Sequence, residues 1–184
     1  ELEQYRTPPE LAAHLVHTAD LQGDIEGRTV LDLGCGTGML ALGAALRGPR
    51  RVVGLDIDPG PLATARKNEG RVATSSTVSW VRGDATAAPV CPDGETTVIM
   101  NPPFGAQSGN EHADRAFLAT AAAVAGVSYS IHNGDSADFV EAFAADNGGE
   151  VTHAFRADVD LPDSFDFHED ERRTIDVEVF RIDW

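Results

Sequence analysis

The chain has 184 residues, 42% of them hydrophobic, with 14 Lys plus Arg against 30 Asp plus Glu and a formal net charge of -16. That length buries roughly 70% of the surface an unfolded chain exposes, so one domain over residues 1–184 is expected without a disulfide or metal staple. Cys35 and Cys91 form neither a CxxC pair nor a Cys/His ligand spacing, which excludes a disulfide scaffold, gives structural zinc no ligand set and points to a reducing, cytoplasmic setting.

Pro8 and Pro9 open a leading helix over Glu10 to Thr18, with Leu11, Ala12, Leu15 and Val16 at helical spacing. Val30 to Leu33 reads as a strand running into Gly34, Gly36 and Gly38, and Met39 to Leu46 resumes a helix. Strand Val52 to Leu55 ends at Asp56, and helix Pro61 to Asn68 follows with a proline in its first turn. Strands at Val78 to Val81, Thr97 to Met100 and Val127 to Ile131 come next, with helices Arg115 to Val124 and Ala137 to Ala145 after the last two. This alternation predicts a parallel sheet with helices packed on it. Val151 to Val159 and Ile175 to Ile182 are joined without a helical pattern and read as a terminal antiparallel pair. The longest uncharged stretch, Phe117 to Asn133, falls short of the roughly 20 apolar residues a membrane span needs, and no secretory leader is expected.

In an open α/β sheet the ligand lies beyond the carboxyl ends of the strands, where strand order reverses. The polar landmarks all sit at such ends. Asp32-Leu33-Gly34-Cys35-Gly36-Thr37-Gly38 has glycines that permit a tight turn and a close backbone approach by a ligand. Asp56, about 22 residues past Gly34, is placed as an acceptor for vicinal ribose hydroxyls, an arrangement shared by NAD and S-adenosylmethionine enzymes. Asp84 either accepts from an adenine amine or caps a turn. Asn101-Pro102-Pro103-Phe104 closes a central strand and is the most specific signal. The lone pair of a planar adenine amine is delocalised into its ring, so geometry must free it. The Asn101 side-chain oxygen and the Pro102 carbonyl each accept one N6 hydrogen in this reading, Pro102 and Pro103 stiffen the turn, and Phe104 stacks on the extruded base.

These features make the sequence resemble a class I S-adenosylmethionine-dependent methyltransferase. More narrowly, it resembles the methyltransferase-like family that methylates adenosine N6 in small-subunit ribosomal RNA and works with a small zinc-binding activator subunit. Leu2-Glu3-Gln4-Tyr5 with Thr7, Gly54-Leu55-Asp56-Ile57-Asp58, Asn101-Pro102-Pro103-Phe104-Gly105, Tyr129-Ser130-Ile131-His132, Leu161-Pro162, Phe167-His168 and Asp176-Val177-Glu178 extend the likeness over the chain. The resemblance implies a Rossmann-like α/β fold with a seven-stranded, mostly parallel sheet, an antiparallel C-terminal strand pair and helices on both faces. It implies that Gln4 and Thr7 in a donor-covering segment (residues 1–20) fold over the donor. Gly34, Thr37 and Met39 line its amino-acid end, with Asp32, Gly36, Gly38, Ile57 and Asn101 also around it. Asp56 meets the ribose, Asp84 and Ala85 the adenine. Residues 105–114 form a substrate loop. The activator subunit pairs with an open edge at Val78 to Val81, although Trp80 packed on its own core is the reading without the resemblance. The nearest alternative keeps the donor chemistry and changes the acceptor to guanine N2 in RNA or a protein glutamine amide. A dinucleotide-dependent oxidoreductase and a non-catalytic nucleotide-binding module are the alternatives of another class.

Lys67 is the only lysine beside thirteen arginines. Acidic excess of this kind suits concentrated salt, where the Debye length shrinks to about 3 Å at 1 M, so net charge does not exclude an RNA substrate. The family's expected basic cluster is replaced by Glu169-Asp170-Glu171-Arg172-Arg173; Arg6, Arg172 and Arg173 are the candidate phosphate contacts. His14 and His17 read as a helix face rather than a metal site, and His132 as support for the site.

Overall fold

The computed structural model describes residues 7–91, 95–103, 113–161 and 173–184. Five helices and seven strands are described: α1 (Pro9–Leu21), β1 (Thr29–Leu33), α2 (Met39–Ala45), β2 (Arg51–Asp56), α3 (Pro59–Glu69), β3 (Val78–Arg82), β4 (Thr96–Met100), α4 (Ala113–Val124), β5 (Val127–Asn133), α5 (Ala137–Asp146), β6 (Glu150–Leu161) and β7 (Arg173–Asp183). A short 3-10 turn, Ala85–Ala87, follows β3. No helix among the described residues is long and apolar enough to cross a membrane. Pro9 opens α1, where its missing N–H costs nothing, and Leu11, Ala12, Leu15, Val16 and Ala19 bury one face. Helix α3 starts two residues before the predicted Pro61. The Asp58 carboxylate caps it by accepting from the Gly60 N–H at 2.8 Å, and Arg66 and Lys67 occupy the last turn.

The strand order is β3-β2-β1-β4-β5-β7-β6. Strands β1 to β5 are parallel to one another, and β7 runs antiparallel between β5 and β6. This is the expected mostly parallel α/β sheet with a C-terminal antiparallel pair, and β3 lies at one edge. The chain steps outward from β1 through β2 to β3, then returns to place β4 against the other side of β1. Order therefore reverses between β1 and β4, where Leu33 is in register with Met100. Gly34 and Asn101, the next residue of each strand, leave the sheet side by side.

Alternation along the strands sorts their side chains between two cores. Val30, Val52, Ile99, Tyr129 and Ile131 pack with α1 and α2. Leu31, Leu33, Val98, Met100 and Phe180 pack with α4 and α5. By the same period of two, Asp32 falls on the α2 side, and Ser130 and His132 on the α4 side. Trp80 lies inward from the edge strand. Its Nε1 donates to Glu69 at 2.8 Å, and a Cβ placed on Gly54 would come within 2.6 Å of its ring, so the glycine opposite it on β2 is a packing requirement.

Asp24 joins the other end of the sheet. It is buried, accepts from the Tyr129 hydroxyl at 2.7 Å and from Arg181 Nε at 2.8 Å, and its carbonyl accepts from Thr97 at 2.6 Å. One residue thus ties the α1–β1 connection to β4 through its carbonyl and to β5 and β7 through its carboxylate. Burial and the Asp24 bond both push the Tyr129 hydroxyl above its ordinary pKa, keeping it a donor.

Candidate active site at the carboxyl ends of β1 and β4

The loop after β1 turns on three glycines in left-handed backbone, Gly34 (φ 70), Gly36 (φ 52) and Gly38 (φ 85). A side chain at any of them would be strained. A Cβ on Gly38 would also come within 2.5 Å of the Trp80 ring, and one on Gly34 within 3.0 Å of Phe117 of α4, whereas a Cβ on Gly36 would meet nothing within 4 Å. Among the described residues the loop is thus packed from beneath and open at Gly36. The Gly34 and Cys35 N–H groups donate to the Leu55 carbonyl at 2.8 and 3.0 Å, and Asn68 of α3 donates to the Thr37 carbonyl at 3.1 Å.

Two carboxylates frame the loop. Asp56, at the end of β2, accepts from the Gly36 N–H at 2.7 Å on one oxygen and from the Asp58 N–H at 2.8 Å on the other. Each oxygen keeps a further lone pair for an incoming hydroxyl. Asp32 accepts from the Ala41 N–H at 2.9 Å and is 1% exposed. Burial pushes its pKa up to about 7, against the lowering effect of the Ala41 bond and with a further push from Asp56. Burial and the same two carboxylates also drive the Cys35 thiol upward, so it stays protonated.

Asn101 follows β4 beside this loop. Its Nδ2 donates to the Thr7 hydroxyl at 3.0 Å, which fixes the carboxamide, while its Oδ1 is buried without a hydrogen-bond partner among the described residues. An orphaned buried acceptor costs about 1–3 kcal/mol. Thr7, just before α1, therefore reaches the carboxyl end of the sheet. Pro102 is buried and Pro103 half-buried next to it.

Met39 and Ile57 flank the loop with substantial exposure, 37% and 53%. Asp84 is exposed beyond β3, and one of its oxygens accepts from both the Thr86 N–H and hydroxyl at 2.8 and 2.7 Å. Those bonds hold its carboxyl below the usual range. Asp84 thus caps the 3-10 turn, one of the two roles its position suggested, and Ala85 is buried beside it. Gln4, Arg6, Phe104, residues 105–112, Phe167-His168 and Glu169 to Arg172 lie outside the described residues, and only the backbone of Arg173 is described, at the start of β7. Three features were not legible from motifs: the Thr7–Asn101 bond, the Phe117 ring beneath Gly34, and the Trp80 ring against Gly38. Only the glycines hinted at the last two, since bare Cα positions invite a neighbouring ring.

The match to known proteins follows the same residues. The description "Methyltransferase small domain" fits residues 11–126, from α1 through α4. The rRNA N(6)-adenosine-methyltransferase Mettl5 of Drosophila melanogaster is 35% identical over 188 residues, covering 99% of this chain and 86% of its own. The crystal structure of PH1948 from Pyrococcus horikoshii, assigned as an RNA methyltransferase, agrees with TM-score 0.85 at 36% identity, covering 99% of this chain and 88% of its own. Magnesium protoporphyrin IX methyltransferase from Synechocystis, solved with bound SAM, shares the fold at 18% identity and TM-score 0.69, covering 94% of this chain and 78% of its own. With its glycine loop, paired carboxylates and Asn-Pro-Pro strand end at the sheet's reversal point, the chain belongs to the methyltransferase small domain family.

Proposed function

We propose that this protein transfers a methyl group from S-adenosylmethionine to N6 of an adenosine in small-subunit ribosomal RNA. The observation that carries the reading is the Asn101 carboxamide. Thr7 takes its N–H, so the outward-serving group is the oxygen, a buried acceptor awaiting a donor. An exocyclic amine supplies that donor. With one N6 hydrogen on Asn101 Oδ1 and the other on the Pro102 carbonyl, the nitrogen is drawn out of conjugation and its lone pair is aimed. Phe104 is assigned the stacking face for the base. The relatives' names support ribosomal RNA as the source of the adenosine.

The described residues fit the methyl donor. Among the described residues, the open space at Gly36 admits its backbone-hugging end, Asp56 retains lone pairs for the ribose, and Asp32 is a buried carboxylate with no cation beside it. The bound donor supplies a methyl carbon made electrophilic by its sulfonium sulfur. Thr37, Met39, Ile57, Asp84 and Ala85 complete the assigned surroundings. The family's activator subunit is assigned to the outer side of β3, the sheet edge, where Val81 is 37% exposed; an uncovered edge is a pairing hazard. Trp80 belongs to the inner packing rather than to that interface. Arg6, Arg172 and Arg173 remain the candidate phosphate contacts, and acidic excess suits the protein to concentrated salt.

Asp32 gives this site a pH signature. Its carboxyl is mostly protonated below about pH 7 and must ionise to face the donor's ammonium. One proton then leaves per ligand bound, so S-adenosylhomocysteine affinity should rise by about tenfold per pH unit on the acid side of pH 7 and level off above it. Calorimetric titration at pH 5.5, 6.5 and 7.5 checks this; Asp32→Asn should flatten the slope. A flat profile in the unsubstituted protein removes Asp32 from the donor site.

The acceptor is tested by incubating labelled donor with small-subunit ribosomal RNA and, separately, with peptide-chain release factor in molar salt. Nucleoside analysis should return N6-methyladenosine. Label in N2-methylguanosine or in a glutamine amide would replace the proposed acceptor.

A further inference from the structure

Four buried side-chain atoms among the described residues lack any hydrogen-bond partner: Asn101 Oδ1, Asp114 Oδ1, Ser130 Oγ and His132 Nε2. They are not scattered. Asn101 ends β4, Ser130 and His132 belong to the adjacent β5, and Asp114 is in the first turn of α4. His132 and Ser130 are fully buried, two residues apart on the sheet face that α4 covers. His132 Nδ1 lies 3.4 Å from Asp114 Oδ2, and its ring meets Phe180 edge-on with centroids 5.8 Å apart. Burying an imidazole whose Nε2 has no partner among the described residues is costly, and fold stability would be served as well by an apolar side chain there. The arrangement needs another reason.

That reason is where α4 sits. Three residues after Asp114, Phe117 packs under Gly34 of the donor loop. Ser130 is in register with Met100, the residue before Asn101. The first turn of α4 is therefore fixed between the donor loop and the strand that carries the amine-binding carboxamide. Resting on the function proposed above, we propose that His132 and Asp114 are positioning residues for methyl transfer. Their contact pins the start of α4 to β5 and so sets where the acceptor base lies relative to Asn101 and the donor loop. His132 Nε2 and Ser130 Oγ, unpartnered among the described residues, lie on the same sheet face two residues apart.

The pair acts through others, so its loss should appear in turnover and not in donor affinity. Misplacement of a reacting group by about 1 Å costs on the order of a hundredfold. Asp114→Ala, at a side chain 27% exposed, should fold and should lower kcat/KM for ribosomal RNA by about 10- to 100-fold, with the S-adenosylhomocysteine Kd within threefold of the unsubstituted protein. His132→Leu should do the same. His132→Asn, whose amide nitrogen replaces Nδ1, should recover most of the loss, and the Asp114→Ala/His132→Leu double variant should be no worse than either single one. Hydrogen exchange of the second-turn amides of α4, which bond to the first-turn carbonyls, gives a readout independent of turnover: faster in Asp114→Ala and His132→Leu, restored in His132→Asn. If the unsubstituted protein fails to methylate ribosomal RNA, the proposed function fails and the exchange data alone judge the contact. Single losses that add, a donor Kd weakened in step with kcat/KM, or exchange unaltered by either variant would overturn the proposal.

Discussion

Asn101→Ala should lose methyl transfer by about 10²–10³-fold in kcat, the scale of removing one preorganised hydrogen-bonding group from a reaction centre. Donor binding should stay within a few-fold. The side chain makes one hydrogen bond among the described residues, to Thr7 at 3.0 Å, and is not among the core hydrophobics. Its removal therefore costs folding only about 0.5–1.5 kcal/mol, and relieves an unpartnered Oδ1 in exchange. A kinetic loss so much larger than the stability loss separates amine positioning from scaffolding. Asn101→Asp keeps oxygen acceptors but not the N–H held by Thr7, so it should retain more activity than the alanine variant. Single-turnover methylation of ribosomal RNA alongside thermal melts measures both sides of this comparison.

Asp24→Ala should be strongly destabilising, about 3–5 kcal/mol, the scale of removing one partner from a buried ion pair, because it leaves the Arg181 guanidinium with only the more exposed Asp183. Arg181 is 11% exposed in its side chain and would keep Asp183 at 2.8 Å, but would lose its 2.8 Å contact to Asp24. The buried Tyr129 hydroxyl would lose its acceptor as well. With whole domains stable by only about 5–15 kcal/mol, this loss should move the urea midpoint substantially. Asp24→Asn, which still accepts from Tyr129, should cost less. Asp24 lies at the opposite end of the strands from Asn101, so transfer per folded molecule should be unaffected where the variant remains native. A urea midpoint unchanged in Asp24→Ala would show that the hub contributes specificity without stability.

The contrast between these two residues shows what a sequence carries. Asn101 could be singled out because its signal is local: a carboxamide, two rigid prolines and an aromatic in consecutive positions at a strand end. Asp24 could not, since its partners Tyr129 and Arg181 lie 105 and 157 residues away. Strand and helix identities followed from period-two and 3.6-residue patterns. The boundaries moved where a polar cap decided them, as Asp58 does for α3. Edge placement of β3 came with the family resemblance, whereas the inward turn of Trp80 depends on Glu69 and on bare Gly38 and Gly54, a packing relation between three elements. Asp84 was ambiguous for a physical reason: the same carboxylate that suits an adenine amine also suits the N–H and hydroxyl of Thr86 two residues on. His132 was visible as a strand-end histidine, but its partner Asp114 was hidden in the first turn of a helix from another part of the chain.

Whether the Asn101 carboxamide oxygen grips the target amine is decided by a crystal structure with S-adenosylhomocysteine and an adenosine-bearing oligonucleotide. The adenine N6 should lie within about 3 Å of Asn101 Oδ1, with the Nδ2 still donating to Thr7. An adenine amine bonded elsewhere, or an Asn101 oxygen turned to a protein donor while substrate is bound, would contradict it.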